Sequence, residues 1–250
     1  MKLKGFSLKN GSIDIDEVKD TLKKGIVPKV FYVIPDFQNP SGALMPLAQR
    51  QKLLDLAYRY QFMIIEDGPY RHLRYSGDPV PAFFEQDQTK VIHMSSFSKL
   101  ISPGLRVGYI ITPDAITARI RNYAEDSYIN SSYLNQAIVH EFIRNGWLES
   151  HIESLIALFG ARLNAMLDSL RIHIKDKGKW IQPQGGFFVG LDLDGSARLP
   201  DADTCRSAGI ALSNSNGFFL NGGERFIRLP FCALTPEEIQ TGILRLAEIV

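Results

Sequence analysis

The distribution of apolar residues changes in character along the chain. In the first part, short and nearly continuous apolar runs alternate with segments in which apolar residues return at helical spacing. The apolar runs cover residues 29–35, 62–66, 90–94 and 106–111, and the helical spacing covers residues 15–24 and 46–60. Runs without polar alternation are typical of buried strands in the sheets of α/β proteins. The pattern therefore predicts an α/β sheet with helices between its strands.

The second part of the chain has a different pattern. Residues 113–170 have helical spacing with one break at 144–147, and the segment after Arg171 returns to short elements. Strands are predicted at residues 179–182, 187–193, 209–213 and 225–229, with helices near 201–208 and after Pro236. This change predicts a large domain over residues 1–147 and a small α+β domain over residues 148–250.

Composition narrows the class of protein. The chain has 250 residues, 45% of them hydrophobic, and its 28 Lys and Arg nearly balance its 27 Asp and Glu. This balance gives no indication of a nucleic-acid partner or an anionic membrane surface. No apolar run is long enough to cross a bilayer, and the N-terminal segment lacks the apolar stretch of a secretory signal. Cys205 and Cys232 form no metal-ligand pattern, so we expect reduced thiols in a cytoplasmic protein without a metal site.

Polar side chains follow three of the predicted strands. The loops read QNPSG, EDGPY and SSFSK, and they contain Asn39, Asp67, Tyr70, Ser96 and Lys99. In an open parallel sheet the loops after the strands lie at the carboxyl edge, where ligands bind. Taken singly, each residue has an ordinary interpretation as a turn former, a loop hydroxyl or a solvated lysine. Taken together, they predict one polar crevice.

Pyridoxal phosphate would explain this set of side chains. Lys99 supplies the amine that forms a Schiff base with the cofactor aldehyde, and Asp67 supplies a carboxylate for the pyridine nitrogen. Asn39 and Tyr70 carry hydrogen-bonding groups for the 3-hydroxyl of the ring. A dianionic phosphate needs hydroxyl groups and a fixed cation. Ser96, Ser98 and Arg106 flank the lysine and supply them, and Gly104 is expected to let the chain turn so that Arg106 faces the site.

Six stretches carry a resemblance to a known family. They are GSIDIDEVKDTL, VFYVIPDFQNPSG, IIEDGPYRHLRY, SSFSKLISPGLRVGYI, PQGGFFVGLDL and RFIRLPFC, in this order from Gly11 onward. The chain resembles the fold-type I aminotransferases of class I/II, in the branch of the 2-aminoadipate aminotransferases and the effector domains of MocR-type regulators. The resemblance implies an α/β fold with a mostly parallel sheet in the large domain, a small α+β C-terminal domain and a homodimer. It also implies transfer of an amino group between an α-amino acid and a 2-oxo acid.

The resemblance also implies a role for each site residue. Asn39 and Tyr70 bind the 3-hydroxyl, Asp67 binds the pyridine nitrogen, Ser96, Ser98 and Arg106 surround the phosphate, and Lys99 bonds to the cofactor. Lys99, Asp67 and Tyr70 are the implied catalytic residues, and Asn39 and Arg228 the implied substrate-binding residues. The alternative for Arg228 is a strand arginine paired with a nearby acid. The resemblance further suggests a cis Asn39–Pro40 bond.

The chain departs from the family pattern at its N-terminal side. Only 38 residues precede Asn39, and none of them form the Gly- and Ser-rich turn that binds the phosphate through backbone N–H groups in the family. Two alternatives to an aminotransferase therefore stay open. One is a non-catalytic cofactor-binding effector domain of a MocR-type regulator. The other is a truncated remnant that folds without binding the cofactor.

Overall fold

The computed structural model describes residues 2–9, 12–195, 197, 199–213 and 215–250. Gly11, where the first of the six stretches begins, lies outside these residues. The first part of the chain forms β1 (Leu8–Lys9), β2 (Ser12–Ile13), α1 (Ile15–Lys23), β3 (Val30–Val33), α2 (Leu47–Tyr60), β4 (Met63–Asp67), α3 (Phe83–Gln86), β5 (Val91–Ser96) and β6 (Gly108–Ile111). The four predicted strands of this part are thus confirmed, β3 and β6 with shorter bounds, β4 shifted by one residue and β5 extended to Ser96.

These strands form one sheet in the order β3-β4-β5-β6. The pairs β3–β4 and β4–β5 are parallel, whereas β6 runs antiparallel to β5. Since β3, β4 and β5 point the same way, the loops after them meet at one edge of the sheet. The expectation that the three polar loops share an edge is confirmed.

One face of this sheet forms a core and the other face is partly open. Phe31, Val33 and Ile64 are buried in a cluster with α1 and α2. On the opposite face Val30 and Tyr32 are exposed, and the residues of the edge strand β6 are exposed on both faces. The expectation of fully buried strands is wrong for β3 and β6. Their apolar residues are strand formers whose outer side chains meet no covering element among the described residues.

The second part of the chain begins with helices and ends on a small sheet. Its elements are α4 (Asp114–Ser127), α5 (Tyr133–Arg144), α6 (Trp147–His173), β7 (Gly178–Trp180), β8 (Phe188–Leu193), α7 (Ala202–Ser207), β9 (Phe226–Pro230) and α8 (Pro236–Ile249). The strands form an antiparallel sheet in the order β7-β8-β9. The helix break at 144–147 is confirmed, because α5 ends at Arg144 and Gly146 takes the left-handed conformation before α6. A second break, between α4 and α5, was not predicted.

The strand predicted at residues 209–213 is wrong. This segment, all of which is described, forms no strand. Gly209 has a φ of 68°, and the N–H groups of Gly209 and Ile210 donate to carbonyls of Arg206 and Cys205 at the end of α7. The backbone groups are thus engaged in ending a helix, a tertiary arrangement that overrides the strand propensity of the local sequence.

Two clusters of buried apolar side chains fill the molecule. The first lies between the β3–β6 sheet and its helices, and the second surrounds α6, α8 and the β7–β9 sheet. The second cluster also contains Phe37, Tyr70, Leu73 and Leu100 from the loops of the first sheet. The polar loops therefore lie against the core of the C-terminal part. The boundary at 147/148 stays a prediction.

Within the described part of the chain, no helix combines the length and the apolar character needed to cross a membrane.

Candidate active site

The loop that carries Asn39 is held by a buried ion pair. Arg50 of α2 donates from Nη2 to Asp36 Oδ1 at 2.9 Å, and the two side chains are 0% and 1% exposed. Arg50 also donates to the carbonyl oxygens of Met45 and Pro81. A buried charge is stable only when it is paired and its remaining hydrogen-bonding groups are satisfied. This network fixes the backbone around Asn39–Pro40, which is cis as expected.

Asp67 ends β4 on the open face of the sheet. Its Oδ2 accepts a hydrogen bond of 2.6 Å from the hydroxyl of Tyr32 on the neighbouring strand. Burial raises the pKa of the Asp67 carboxyl, while the hydrogen bond from Tyr32 and the proximity of His93 act to lower it. The net direction is upward. Asp67 is therefore a partly desolvated carboxylate at the ligand edge.

The preceding residue, Glu66, points to the opposite face because side chains alternate along a strand. Its carboxylate accepts hydrogen bonds from the N–H groups of Phe83 and Phe84 at the start of α3 and lies 2.9 Å from His93 Nδ1. Burial acts to raise the pKa of Glu66, but the hydrogen bonds outweigh burial and hold the pKa below its ordinary value. Glu66 is thus fully used in positioning α3 and β5.

Tyr70 is buried against two aromatic rings. Its ring meets those of Phe187 and Phe188 edge to face, with centroids 5.7 and 5.9 Å apart. Burial, followed by the charge of Asp67, raises the pKa of the Tyr70 hydroxyl to about 12. The hydroxyl therefore stays protonated near neutral pH and can donate a hydrogen bond.

Lys99 lies in the turn after β5, where the N–H of Leu100 donates to the carbonyl of Phe97. Its Nζ lies 5.9 Å from the ring centroid of Phe187, within the range of a cation–π contact. Phe187 is also a ring that Tyr70 contacts. Lys99 and Tyr70 thus converge on one aromatic side chain.

The expected phosphate residues form one hydrogen-bonded group. Ser96 and Ser98 are linked between their hydroxyls at 3.0 Å, and Arg106 Nη1 donates to Ser98 Oγ at 3.3 Å. The turn that brings the arginine back does not depend on Gly104, which has no positive φ. Arg106 itself adopts the left-handed conformation, with φ 52°. The expectation for Gly104 is wrong, although its consequence for Arg106 holds.

Arg228 reaches from β9 to the loop of Asn39. Its Nη1 donates to Asn39 Oδ1 at 3.2 Å, and its Nη2 donates to Ser213 Oγ at 3.4 Å. The guanidinium lies between the rings of Phe188 and Phe218, 4.7 Å from each centroid. Its Nε is buried and has no hydrogen-bond partner in the described part of the chain. The partners shown are an amide and a hydroxyl, which disfavours the alternative of an arginine paired with an acid.

The site contains residues that the sequence argument did not single out. They are Tyr32 on Asp67, Phe187 under Lys99, and Phe188, Phe218 and Ser213 around Arg228. Tyr32 could have been found from the sequence, because the parallel pairing of β3 with β4 places it on the same face of the sheet as Asp67. Phe188, Phe218 and Ser213 had no such signal, because their contacts with Arg228 arise from the packing of separate segments of the chain.

Comparison with known proteins is consistent with this arrangement. The family model "Aminotransferase class I and II" matches residues 2–246. The aromatic-amino-acid aminotransferase 1 of Thermococcus litoralis is 33% identical over 94% of this chain and 57% of its own length. The transcriptional regulator NorG of Staphylococcus aureus is 30% identical over 87% of this chain and 49% of its own length.

Solved structures show the same fold. The multiple substrate aminotransferase of Thermococcus profundus superposes with a TM-score of 0.91 at 31% identity, covering 98% of this chain and 62% of that one. The α-aminoadipate aminotransferase of Thermus thermophilus, complexed with N-(5'-phosphopyridoxyl)-L-leucine, gives 0.90 at 28% identity, covering 98% and 64%.

These matches confirm the predicted fold class, a fold-type I architecture with a mostly parallel sheet. The chain spans about three fifths of the length of the aminotransferases it matches. With a family model that covers nearly all of its length, the chain belongs to the class I and II aminotransferase family.

Proposed function

We propose that this chain is the pyridoxal-phosphate-binding and substrate-binding part of an aminotransferase that moves an amino group between an α-amino acid and a 2-oxo acid. The observation that carries the proposal is the convergence of Lys99, the Ser96–Ser98–Arg106 group and Arg228 on one edge of the sheet. Family membership and the phosphopyridoxyl ligand of the Thermus relative support it.

The residues present fit pyridoxal phosphate. Two serine hydroxyls and the guanidinium of Arg106 lie together, and such a group suits a dianionic phosphate. Asp67 offers a carboxylate to the pyridine nitrogen, and Lys99 offers the amine that bonds to the aldehyde. When bound, the cofactor supplies an electron-accepting ring that stabilises negative charge on the substrate α-carbon.

Arg228 binds the α-carboxylate of the substrate. Its guanidinium is fixed by two rings and by Asn39, so that its remaining donors lie in one plane. A planar pair of N–H donors matches a carboxylate in two-pronged fashion. This contact orients the α-C–H bond toward Lys99.

Lys99 then acts as the base of the reaction: its Nζ takes the proton from the substrate α-carbon. Tyr70 and Asn39 would hold the cofactor by donating hydrogen bonds to its ring hydroxyl. Tyr70 can do so because burial keeps its pKa at about 12. Asn39 also contacts Arg228, so the cofactor and substrate sites share one residue.

We further propose that the chain forms a homodimer and that it acts in the cytoplasm. Large apolar side chains of α4 and α5 and of their connection are exposed, among them Tyr123, Ile129, Tyr133 and Leu134. Exposed apolar groups of this extent mark association surfaces. Light scattering of the purified chain is expected to give twice the monomer mass, and a strictly monomeric mass contradicts the homodimer.

The second candidate function is that of a cofactor-binding effector domain in a MocR-type regulator. The similarity to NorG favours it. Single-turnover reaction of the cofactor-loaded chain with α-amino acids separates the two functions. An aminotransferase converts the bound cofactor to its pyridoxamine form, which changes its absorption, whereas an effector domain leaves the absorption unchanged. A chain that takes up no cofactor is the truncated remnant.

A further inference from the structure

The hydrogen bond between Tyr32 and Asp67 links two strands at the ligand edge. Tyr32 Oη lies 2.6 Å from Asp67 Oδ2. In the parallel register Tyr32 pairs with Ile65, so Asp67 is its diagonal neighbour on the same face. The tyrosine side chain is long enough to reach this diagonal neighbour on the adjacent strand.

Packing does not account for this contact. Tyr32 is 55% exposed, and it lies on the face of β3 opposite the buried Phe31 and Val33. An exposed hydroxyl can bond to water at little cost, so the bond to Asp67 adds little to stability. Its effect is to hold one carboxylate oxygen in a fixed place.

We propose that Tyr32 is a positioning residue that binds Asp67 Oδ2 and thereby presents Oδ1 to the pyridine nitrogen of the cofactor. The proposal rests on the proposed function, which gives Asp67 that role. A donor to a carboxylate also favours its charged form. At Asp67 this effect opposes the burial that raises the pKa of the carboxyl.

Burial has the largest effect on the Asp67 pKa, and the hydrogen bond from Tyr32 is the largest of the effects that lower it. The titratable groups near the carboxyl are Tyr32 from β3 and Tyr70 from the loop after β4, and His93 from β5 acts on it from the opposite face of the sheet, where it lies beside Glu66. Of these, Tyr32 is the one that hydrogen-bonds to Asp67 among the described residues. Glu66, by contrast, is bonded to His93 and to two backbone N–H groups.

The chain contains a matched control. Tyr58 also donates its hydroxyl to an aspartate, Asp87, and it is also an exposed tyrosine, but it belongs to α2 and not to a strand at the ligand edge. Tyr32→Phe and Tyr58→Phe each remove one Tyr–Asp hydrogen bond and keep the aromatic ring. A loss of stability alone affects both variants in the same way.

The first readout needs no cofactor. Carbon-13 NMR of the apo chain, with the Asp67 signal assigned through Asp67→Asn, follows the pKa of this carboxyl. We expect Tyr32→Phe to raise the Asp67 pKa and Tyr58→Phe to leave it unchanged. An unchanged pKa in Tyr32→Phe overturns the proposal, whether or not the chain binds pyridoxal phosphate.

The second readout is the affinity for pyridoxal phosphate. Loss of one hydrogen bond of ordinary strength predicts that Tyr32→Phe weakens binding about 3- to 10-fold, with wild-type affinity in Tyr58→Phe. Equal affinities in the wild type and Tyr32→Phe, or equal losses in both variants, overturn the positioning role. A wild-type chain that binds no cofactor contradicts the proposed function instead, and the NMR titration then still decides whether Tyr32 controls Asp67.

Discussion

At the scale of single residues, Arg228 joins the two parts of the chain. It belongs to β9, but it lies on the loop of Asn39 and between Phe188 and Phe218. Aromatic faces hold a guanidinium in one plane while leaving its edge free. The orphaned Nε lies in that plane as a donor without a partner among the described residues. A buried donor without a partner is costly, and the substrate carboxylate that we propose for this position would offset that cost.

Replacing Arg228 by lysine tests this interpretation. Lysine keeps the charge but loses the planar pair of donors, so we expect the KM for the amino acid to rise about 10-fold or more. The matched control is Arg225→Lys, because Arg225 is exposed on the same stretch of chain. Steady-state or single-turnover kinetics give the comparison. Equal KM values for the two variants contradict the assignment of Arg228.

At the scale of elements, α2 and the loop before it depend on one buried ion pair. Arg50 is 0% exposed and holds Asp36, while Arg71 and Arg74 approach the same carboxylate at 3.6 and 3.7 Å. Removing Arg50 takes away the guanidinium that hydrogen-bonds to Asp36, and the longer contacts of Arg71 and Arg74 compensate the buried charge only in part. The position of Asn39 therefore depends on the ion pair between Asp36 and Arg50, which lie several residues away from it in the sequence.

Arg50→Ala is expected to lower the free energy of unfolding by about 3–5 kcal/mol. Arg59→Ala, on the exposed side of the same helix, removes an arginine without breaking a buried pair and is expected to change stability by less than about 0.5 kcal/mol. Denaturant unfolding of both variants gives the measurement. Similar values for the two would show that the Arg50–Asp36 pair does not stabilise the fold.

Glu66 links α3 to β5, and its contribution to the stability of the fold depends on pH. The pKa of Glu66 is lowered from its ordinary value of 4.5, so its contribution to stability is present above that pH and is lost as the pH falls through the lower folded-state pKa. In Glu66→Gln, the side-chain amide places donors against the N–H groups of Phe83 or Phe84. We expect a loss of about 1–3 kcal/mol at neutral pH that shrinks as the solution is acidified below pH 4.5.

Unfolding free energies of Glu66→Gln and of the exposed control Glu125→Gln, measured across this pH range, provide the test. The control is expected to follow the wild type throughout. A stability difference in Glu66→Gln that stays constant with pH contradicts the role given to the Glu66 carboxylate.

At the scale of the whole molecule, sequence reasoning succeeded where local chemistry determines structure. The apolar runs predicted the four strands of the first sheet, and the parallel arrangement of three of them brought the polar loops to one edge. It failed at residues 209–213, where the end of α7 rather than the local apolar pattern determines the backbone. It also missed Tyr32, because the open face of the sheet was expected to be buried. The neighbours of Arg228 depend on long-range packing that no local pattern encodes.

Lys99 is the residue to which we propose that pyridoxal phosphate bonds in this chain. The most direct measurement adds the cofactor to the purified chain, records the visible spectrum, reduces with borohydride and locates the label by peptide mass spectrometry. We predict a visible absorption band that disappears on reduction, a phosphopyridoxyl label on Lys99, and neither band nor label in Lys99→Ala. Absence of the band in the wild-type chain, or a band and label that persist in Lys99→Ala, would contradict this role of Lys99.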